Sequence, residues 1–385
     1  MKVLYDSQAF LQRYGGVSKS FCELIKNLPS NVEWEIAIKQ SNNIHLKQMN
    51  LVPHIQPNQI SLDNFITKHN FKGKSRLYNL CNKLFPNLPT VEHVNRKYEV
   101  ELIKQRNFDI FHPTFFQDYY LPLLSGKPFV LTIHDMMPEL FPQYFKRTDL
   151  QIINKNELAK KAAAIIAVSE KTKEDAVNIL GINHEKITVI YHGGPQINTD
   201  SLNESPIIKE RYILYVGNRT AYKNFKQLLQ GFALFSKDFR NVKLVCTGSE
   251  FSATELQLMK EYKVKDKVLH YFANDKELGN LYSHALTFVY PSLYEGFGMP
   301  ILEAYAYGCP VFLSKCSCFP EIAGNAAVYF DTQFGAKDIA SKLSMLYQYS
   351  PQQRQALINA GYKQLSLYSW KKSAQQLAKV YESIL

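Results

Sequence analysis

In the second half of the chain, short apolar runs rich in β-branched and aromatic residues alternate with stretches of helical period. YILYVG (212–217) precedes KNFKQLLQGFALF, VKLVCTG (242–248) precedes ATELQLMKEY, and VLHYFA (268–273) precedes KELGNLYSHA. LTFVYPS (286–292) leads into a helix over about 300–307, and PVFLS (310–314) follows it. Near-continuous apolar strands separated by helices predict a parallel sheet covered on its faces, a Rossmann-like α/β domain over 212–368. The first half shows the same alternation less regularly, through KVLYD (2–6), WEIAIK (34–39), FDIFHP (108–113), PFVLTIHD (128–135), AAAIIAVS (162–169) and KITVIYHG (186–193). It predicts a second Rossmann-like domain over 1–193. The turn-rich stretch 194–211 has no apolar period and reads as the linker. The last helix, over 369–385, carries Leu377, Val380, Tyr381 and Leu385 on one stripe and is expected to cross back to the first domain.

The chain has 385 residues, more than one core usually supports, which agrees with two domains facing across a cleft. At 46% hydrophobic and 21% charged residues it is globular in composition, and no run approaches the ~18 apolar residues that span a bilayer. Asp6 interrupts what a signal peptide would need as an apolar run, so a cytoplasmic protein is expected. Of six cysteines only Cys316 and Cys318 are close, without a second pair or a nearby histidine, so reduced thiols rather than a zinc site are expected. The net charge of +11 admits nucleic acid, an anionic membrane or an acidic small molecule. No zinc-finger spacing or aromatic RNA-binding signature accompanies it, which argues against nucleic acid.

Ligands of open parallel sheets bind beyond the carboxyl ends of the strands, so the loops there are the candidates for chemistry. After LTFVYPS comes YEGFGMPILE, in which Glu295 and Glu303 bracket Gly296, Phe297, Gly298 and Met299. Pro300 suits the first turn of a helix, leaving the Gly298 and Met299 amides free for an anion, with both acids near the helix start. One acid then accepts from sugar hydroxyls and the other from a ribose; the plainer reading makes Glu303 a complement of the helix dipole and leaves Glu295 solvated. After YILYVG, GNRTAYKN places Arg219, Lys223 and Asn224 at a strand end. The two cations suit a diphosphate, or else form a solvated basic turn. YGGVS puts Gly15 and Gly16 before a helix, without the full spacing of a dinucleotide site, which argues against an NAD enzyme. His134 ends the run PFVLTI and is either structural or a substrate contact.

Together these stretches resemble the large retaining glycosyltransferase family 4, of GT-B fold, over essentially the whole chain. The resemblance rests on EGFGMPILE for the E-x7-E signature, on GNRTAYKN, on RYGGVSKSF and on AAAIIAVSEKTKEDAV followed by KITVIYHG. It implies that Glu295 contacts donor-sugar hydroxyls and Glu303 the ribose, that Arg219 and Lys223 bind the diphosphate with Gly16 approaching from the other domain, and that His134 lies by the sugar. It implies too that the loop with Phe272 and Ala273 holds the nucleobase, whose identity the residues leave open. No D-x-D pair is present, so no metal and no other cofactor is expected.

The resulting expectation is metal-independent, retaining transfer of a hexosyl unit from GDP-mannose or a UDP-hexose to a hydroxyl of a glycan, in surface polysaccharide or lipid-linked oligosaccharide assembly. Rival readings are a nucleotide-sugar epimerase or hydrolase, and a nucleotide-sugar-binding protein without turnover. The interleaved basic and apolar residues of 67–89, among them Lys72, Lys74 and Arg76, suit either an anionic membrane surface, making the protein peripheral there, or an ordinary helix with a solvated basic side.

Overall fold

The computed structural model describes residues 1–52, 55, 56, 73, 74, 76, 77, 80, 90–146, 148–197, 200 and 203–385. Twelve parallel strands are found among them. In the first domain β1 (Lys2–Tyr5), β2 (Glu33–Ile36) and β3 (Ile110–His112) form one sheet in the order β2-β1-β3. β4 (Val130–Ile133), β5 (Ala164–Ala167) and β6 (Ile187–Val189) form another, and a parallel bridge from Phe111 to Phe129 joins β3 to β4.

The second domain holds β7 (Arg211–Tyr215), β8 (Val242–Cys246), β9 (Val268–His270), β10 (Thr287–Tyr290), β11 (Val311–Ser314) and β12 (Ala327–Phe330) in one sheet, ordered β12-β11-β10-β7-β8-β9. The order turns between β7 and β10, so the loops after these two strands open on the same crevice. Those loops are GNRTAYKN and the one containing Glu295. β12 and the helices Gly335–Tyr347 and Pro351–Leu365 extend the alternation beyond the last run that the apolar pattern identified.

Four apolar clusters cover the two faces of each sheet. The C-terminal helix Trp370–Ser383, capped by Ser369, lies on the first domain: Ala374, Leu377, Val380 and Tyr381 are buried with Val3, Tyr5 and Phe21. Burying a leucine such as Leu377 is worth about 1.5–3 kcal/mol. The Tyr381 hydroxyl lies 2.8 Å from that of Tyr5 and 2.6 Å from His112 Nδ1, so its polar end is satisfied in the core. The stretch read as a linker is tied to the second domain, since Asn280 accepts from the Ile207 N–H (3.0 Å) and donates to the Ser205 carbonyl (3.0 Å). Most of 67–89 lies outside the described residues; of the basic residues named there, Lys74 is buried and Arg76 exposed. Among the described residues no helix is long and apolar enough to cross a membrane.

Candidate active site in the interdomain cleft

Two helix starts face one another across the cleft. Gly15, in an extended conformation, caps the helix Gly16–Lys26, and Gly298, at φ 96°, caps the helix Met299–Ala306. The left-handed backbone at Gly298 favours glycine. A Cβ on Gly16 would lie 3.1 Å from Met299 Cε, which shows how closely the two starts approach. About one turn further along each helix, Lys19 Nζ meets Glu303 Oε1 at 2.7 Å. Burial pulls the Lys19 ammonium down, but the Glu303 charge and hydrogen bond, with the charges of Asp275 and Glu23, outweigh it and hold its pKa above the usual lysine value.

The other acid is paired likewise. Glu295 Oε1 lies 2.5 Å from Lys223 Nζ, which also reaches the Tyr290 hydroxyl at 3.3 Å. Both side chains are mostly buried, at 14% and 12% exposure, so this ion pair is shielded rather than a solvated surface contact. Lys223 ends a short turn closed by Asn224 at φ 56°, from which the helix Phe225–Asp238 begins. Asn224 therefore shapes the loop, and its side-chain amide donates to Gln227 (2.8 Å). The loops after β7 and β10 are tied together where Leu293 N–H donates to the Tyr222 carbonyl at 2.8 Å.

Arg219 does not share this arrangement. Its side chain is 2% exposed and its donors are engaged: Nε with Glu255 (2.6 Å), Nη1 with the Thr247 carbonyl (3.1 Å), and Nη2 with the carbonyls of Ser249 and Glu250. The guanidinium also lies over the Phe251 ring. The diphosphate role that the sequence motif implies for Arg219 thus finds the residue bracing the loop after β8. His134 differs in the same way. Its ring stands 5.8 Å from Phe21 and 6.0 Å from His192, with Nε2 buried and lacking a hydrogen-bond partner among the described residues. Burial pushes its pKa down to about 4, so it is neutral at physiological pH. What His134 presents to the second domain is its carbonyl, which lies 1.7 Å from where a Cβ on Gly296 would stand.

The loop Tyr294–Phe297 is in fact seated in the first domain. The Ser169 hydroxyl (2.7 Å) and the Thr172 hydroxyl (3.3 Å) donate to the Gly296 carbonyl. The Tyr294 hydroxyl donates to Asp175 (2.8 Å) and accepts from the Met136 N–H (3.4 Å). Phe297 packs on His192 at 4.8 Å between ring centres, so it is a seam residue rather than a ligand contact. Nearby, the Glu321 carboxylate accepts from the N–H groups of Glu170 (2.7 Å) and Lys171 (3.2 Å), capping a first-domain helix from the second domain. After β9, Phe272 is 67% exposed and edge-on to His270, with Ala273 half-buried beside it, an exposed aromatic surface at the cleft's outer edge.

Lys19, Glu255, Ser169, Asp175, Tyr294 and Glu321 are the residues that sequence reasoning missed. For Lys19 a signal existed, since it stands three residues after Gly16 and so on the same helical face. Glu255 is marked locally only as the acid of the Ser252-x-x-Glu255 capping box, and nothing in the local sequence gives the distant partners of the others.

Comparison with known proteins gives a concordant picture. The family described as Glycosyl transferases group 1 matches residues 199–364, and that described as Glycosyltransferase Family 4 matches residues 69–194. An O-antigen chain mannosyltransferase of Salmonella typhimurium is 32% identical over 216 residues, covering 54% of this chain and 58% of the relative. O-antigen chain mannosyltransferase B of Escherichia coli is 27% identical over 279 residues, covering 69% of this chain and 72% of the relative. Among solved structures, an Anabaena protein in complex with UDP and glucose superposes over the full length of both chains with a TM-score of 0.71 at 16% identity. The sucrose-phosphate synthase of Thermosynechococcus elongatus does so over 100% of this chain and 99% of its own, also at 0.71, with 18% identity. At these identities the likeness is one of fold.

Proposed function

The chain belongs to glycosyltransferase family 4, with the GT-B fold, and from that premise we propose that it moves a hexosyl unit from a nucleotide diphosphate sugar to a glycan hydroxyl with retention of anomeric configuration. The observation that carries this reading is the convergence of two acid–cation pairs, Glu295–Lys223 and Glu303–Lys19, with two glycine-capped helix starts at one cleft. Helix starts and cations suit a diphosphate, and carboxylates suit the hydroxyls of a ribose and a hexose. The relatives act on O-antigen chains by name, which favours GDP-mannose as donor and a surface polysaccharide or lipid-linked glycan as acceptor.

In this reading the bond from the anomeric carbon to the phosphate oxygen breaks while the acceptor oxygen bonds to the same face of that carbon. The acceptor proton passes to the leaving phosphate oxygen, so no protein base is required. Lys223 and the amides at Gly298 and Met299 offset the charge that grows on the phosphate. Glu295 orients the hexose hydroxyls and Glu303 the ribose. Cations and helix amides supply the charge stabilisation, with no metal in the scheme.

The test is transfer from GDP-mannose, UDP-glucose and UDP-N-acetylglucosamine to lipid-linked oligosaccharide acceptors, with the product anomer read by NMR. GDP-mannose is expected to give α-linked product, and Lys223→Ala to lower kcat by about 100-fold or more. An inverted product, donor consumption without acceptor, or a Lys223→Ala effect below threefold would each defeat the proposal.

A further inference from the structure

We propose that Lys19 is a phosphate-binding residue contributed by the first domain, and that its bond to Glu303 is the contact a nucleoside diphosphate exchanges on binding. The proposal rests on the donor-site reading above and gives a role to Lys19, which stands within RYGGVSKSF but to which the resemblance assigns none.

The first ground is where the lysine stands. Gly16 and Lys19 are one turn apart on one helix face, and opposite them stand Met299 and Glu303. Neither helix has an acidic residue in its first turn or a side-chain cap, so the N–H groups at both starts and both positive dipole ends meet at this point. An ammonium near two such ends is electrostatically unfavourable on its own account. Glu303 is its direct partner, with Asp275 and Glu23 acting on it as well, and a diphosphate brings further negative charge to the same point.

The second ground is the state of Arg219. With its donors on Glu255 and three backbone carbonyls, it does not offer a guanidinium to the cleft. Of the two cations in GNRTAYKN, Lys223 therefore faces the cleft and Arg219 does not. Lys19 supplies a second ammonium from the opposite wall. The chemistry of the exchange follows from the donor. A ribose whose hydroxyls donate to Glu303 takes up the carboxylate that Lys19 holds, and the phosphate on that same ribose lies within the sweep of the released lysine side chain. The salt bridge and the ligand thus compete for Glu303, and the ligand compensates Lys19 with its own charge.

Calorimetric titration separates this role from that of a simple latch. GDP and UDP, and in parallel guanosine and uridine, are titrated into the wild-type, Lys19→Met and Lys19→Arg proteins. For the diphosphate that the wild type binds, Lys19→Met is expected to weaken affinity about 10- to 100-fold, the worth of a hydrogen bond to a charged group. Its nucleoside is expected to bind that variant as well as or better than wild type, because Glu303 has lost a competitor; this binding also shows that the variant is folded. Lys19→Arg should keep diphosphate affinity within about threefold, and the salt dependence of diphosphate binding should be shallower in Lys19→Met. If Lys19→Met binds the diphosphate as tightly as wild type or more tightly, Lys19 is a latch and the proposal is overturned while the donor-site reading stands. If wild type binds neither diphosphate, both are overturned.

Discussion

Replacing Gly296 by alanine tests whether the loop carrying Glu295 is held in place by the first domain. The added Cβ would stand 1.7 Å from the His134 carbonyl oxygen and 3.1 Å from Asp135 Cβ. An ordinary carbon–oxygen contact is about 3.3 Å, so the two backbones must part by about 1.6 Å. Neither yields easily. His134 directly follows β4, a strand paired along its length with β5, and Gly296 is fastened by the Ser169 and Thr172 hydroxyls. Overpacking of this kind costs about 1–3 kcal/mol, and loosening two hydrogen bonds adds about 0.5–1.5 kcal/mol each. A loss of about 2–6 kcal/mol is therefore expected, read as a lower urea midpoint. Glu295, next in the chain, moves with the loop, and a misplacement of about 1 Å costs on the order of 100-fold in turnover. Gly16→Ala is the comparison for stability, because its Cβ would meet only the flexible end of Met299 and should cost little. A Gly296→Ala protein with an unchanged urea midpoint and kcat within threefold of wild type would show that the contact between the domains is not what sets the loop.

Three further outcomes are expected. Tyr294→Phe removes the hydroxyl between Asp175 and the Met136 N–H and should cost about 1–3 kcal/mol in urea unfolding, with kcat falling and donor affinity retained; a drop in affinity alone would contradict the positioning role. Glu321→Ala removes the acceptor of the Glu170 and Lys171 N–H groups at the start of the helix Glu170–Leu180, whose cap Ser169 remains, and should lower stability by about 0.5–2 kcal/mol, an effect absent if solvent replaces the carboxylate without cost. Burial pushes His112, His134 and His192 down to about 3, 4 and 3, against about 6.5 in an unfolded chain. Their folded values being depressed, the stability they permit is complete above pH about 6.5 and is lost as pH falls below it towards 4. The urea midpoint should fall between pH 7 and pH 5, with His192→Phe reducing the slope; equal slopes in the two proteins would refute the assignment.

Much of this molecule is written locally. The strand runs lie where apolar β-branched residues cluster, because a strand buried on both faces has to be apolar throughout, and the helices follow from period and from caps such as Asn274 and Ser252. The placing of Glu295, Glu303, Lys223 and the glycines at strand ends is legible for the same reason: a parallel sheet brings successive carboxyl ends to one edge. Partner choice was not legible. Lys19 and Glu303 are 284 positions apart and meet only because two separately folded domains face one another. Arg219 turns to Glu255 and to the carbonyls beyond Thr247 because the pairing of β7 with β8 sets those groups beside it. The His134 ring turns inward because Phe21 and His192 form an apolar and aromatic recess, leaving its carbonyl to meet Gly296. Periodicity and capping involve residues within a turn of each other and so appear in the order of the chain. Which donor a given acid or cation finally meets depends on surfaces that exist only after the sheets have formed, and that was decided by the tertiary structure.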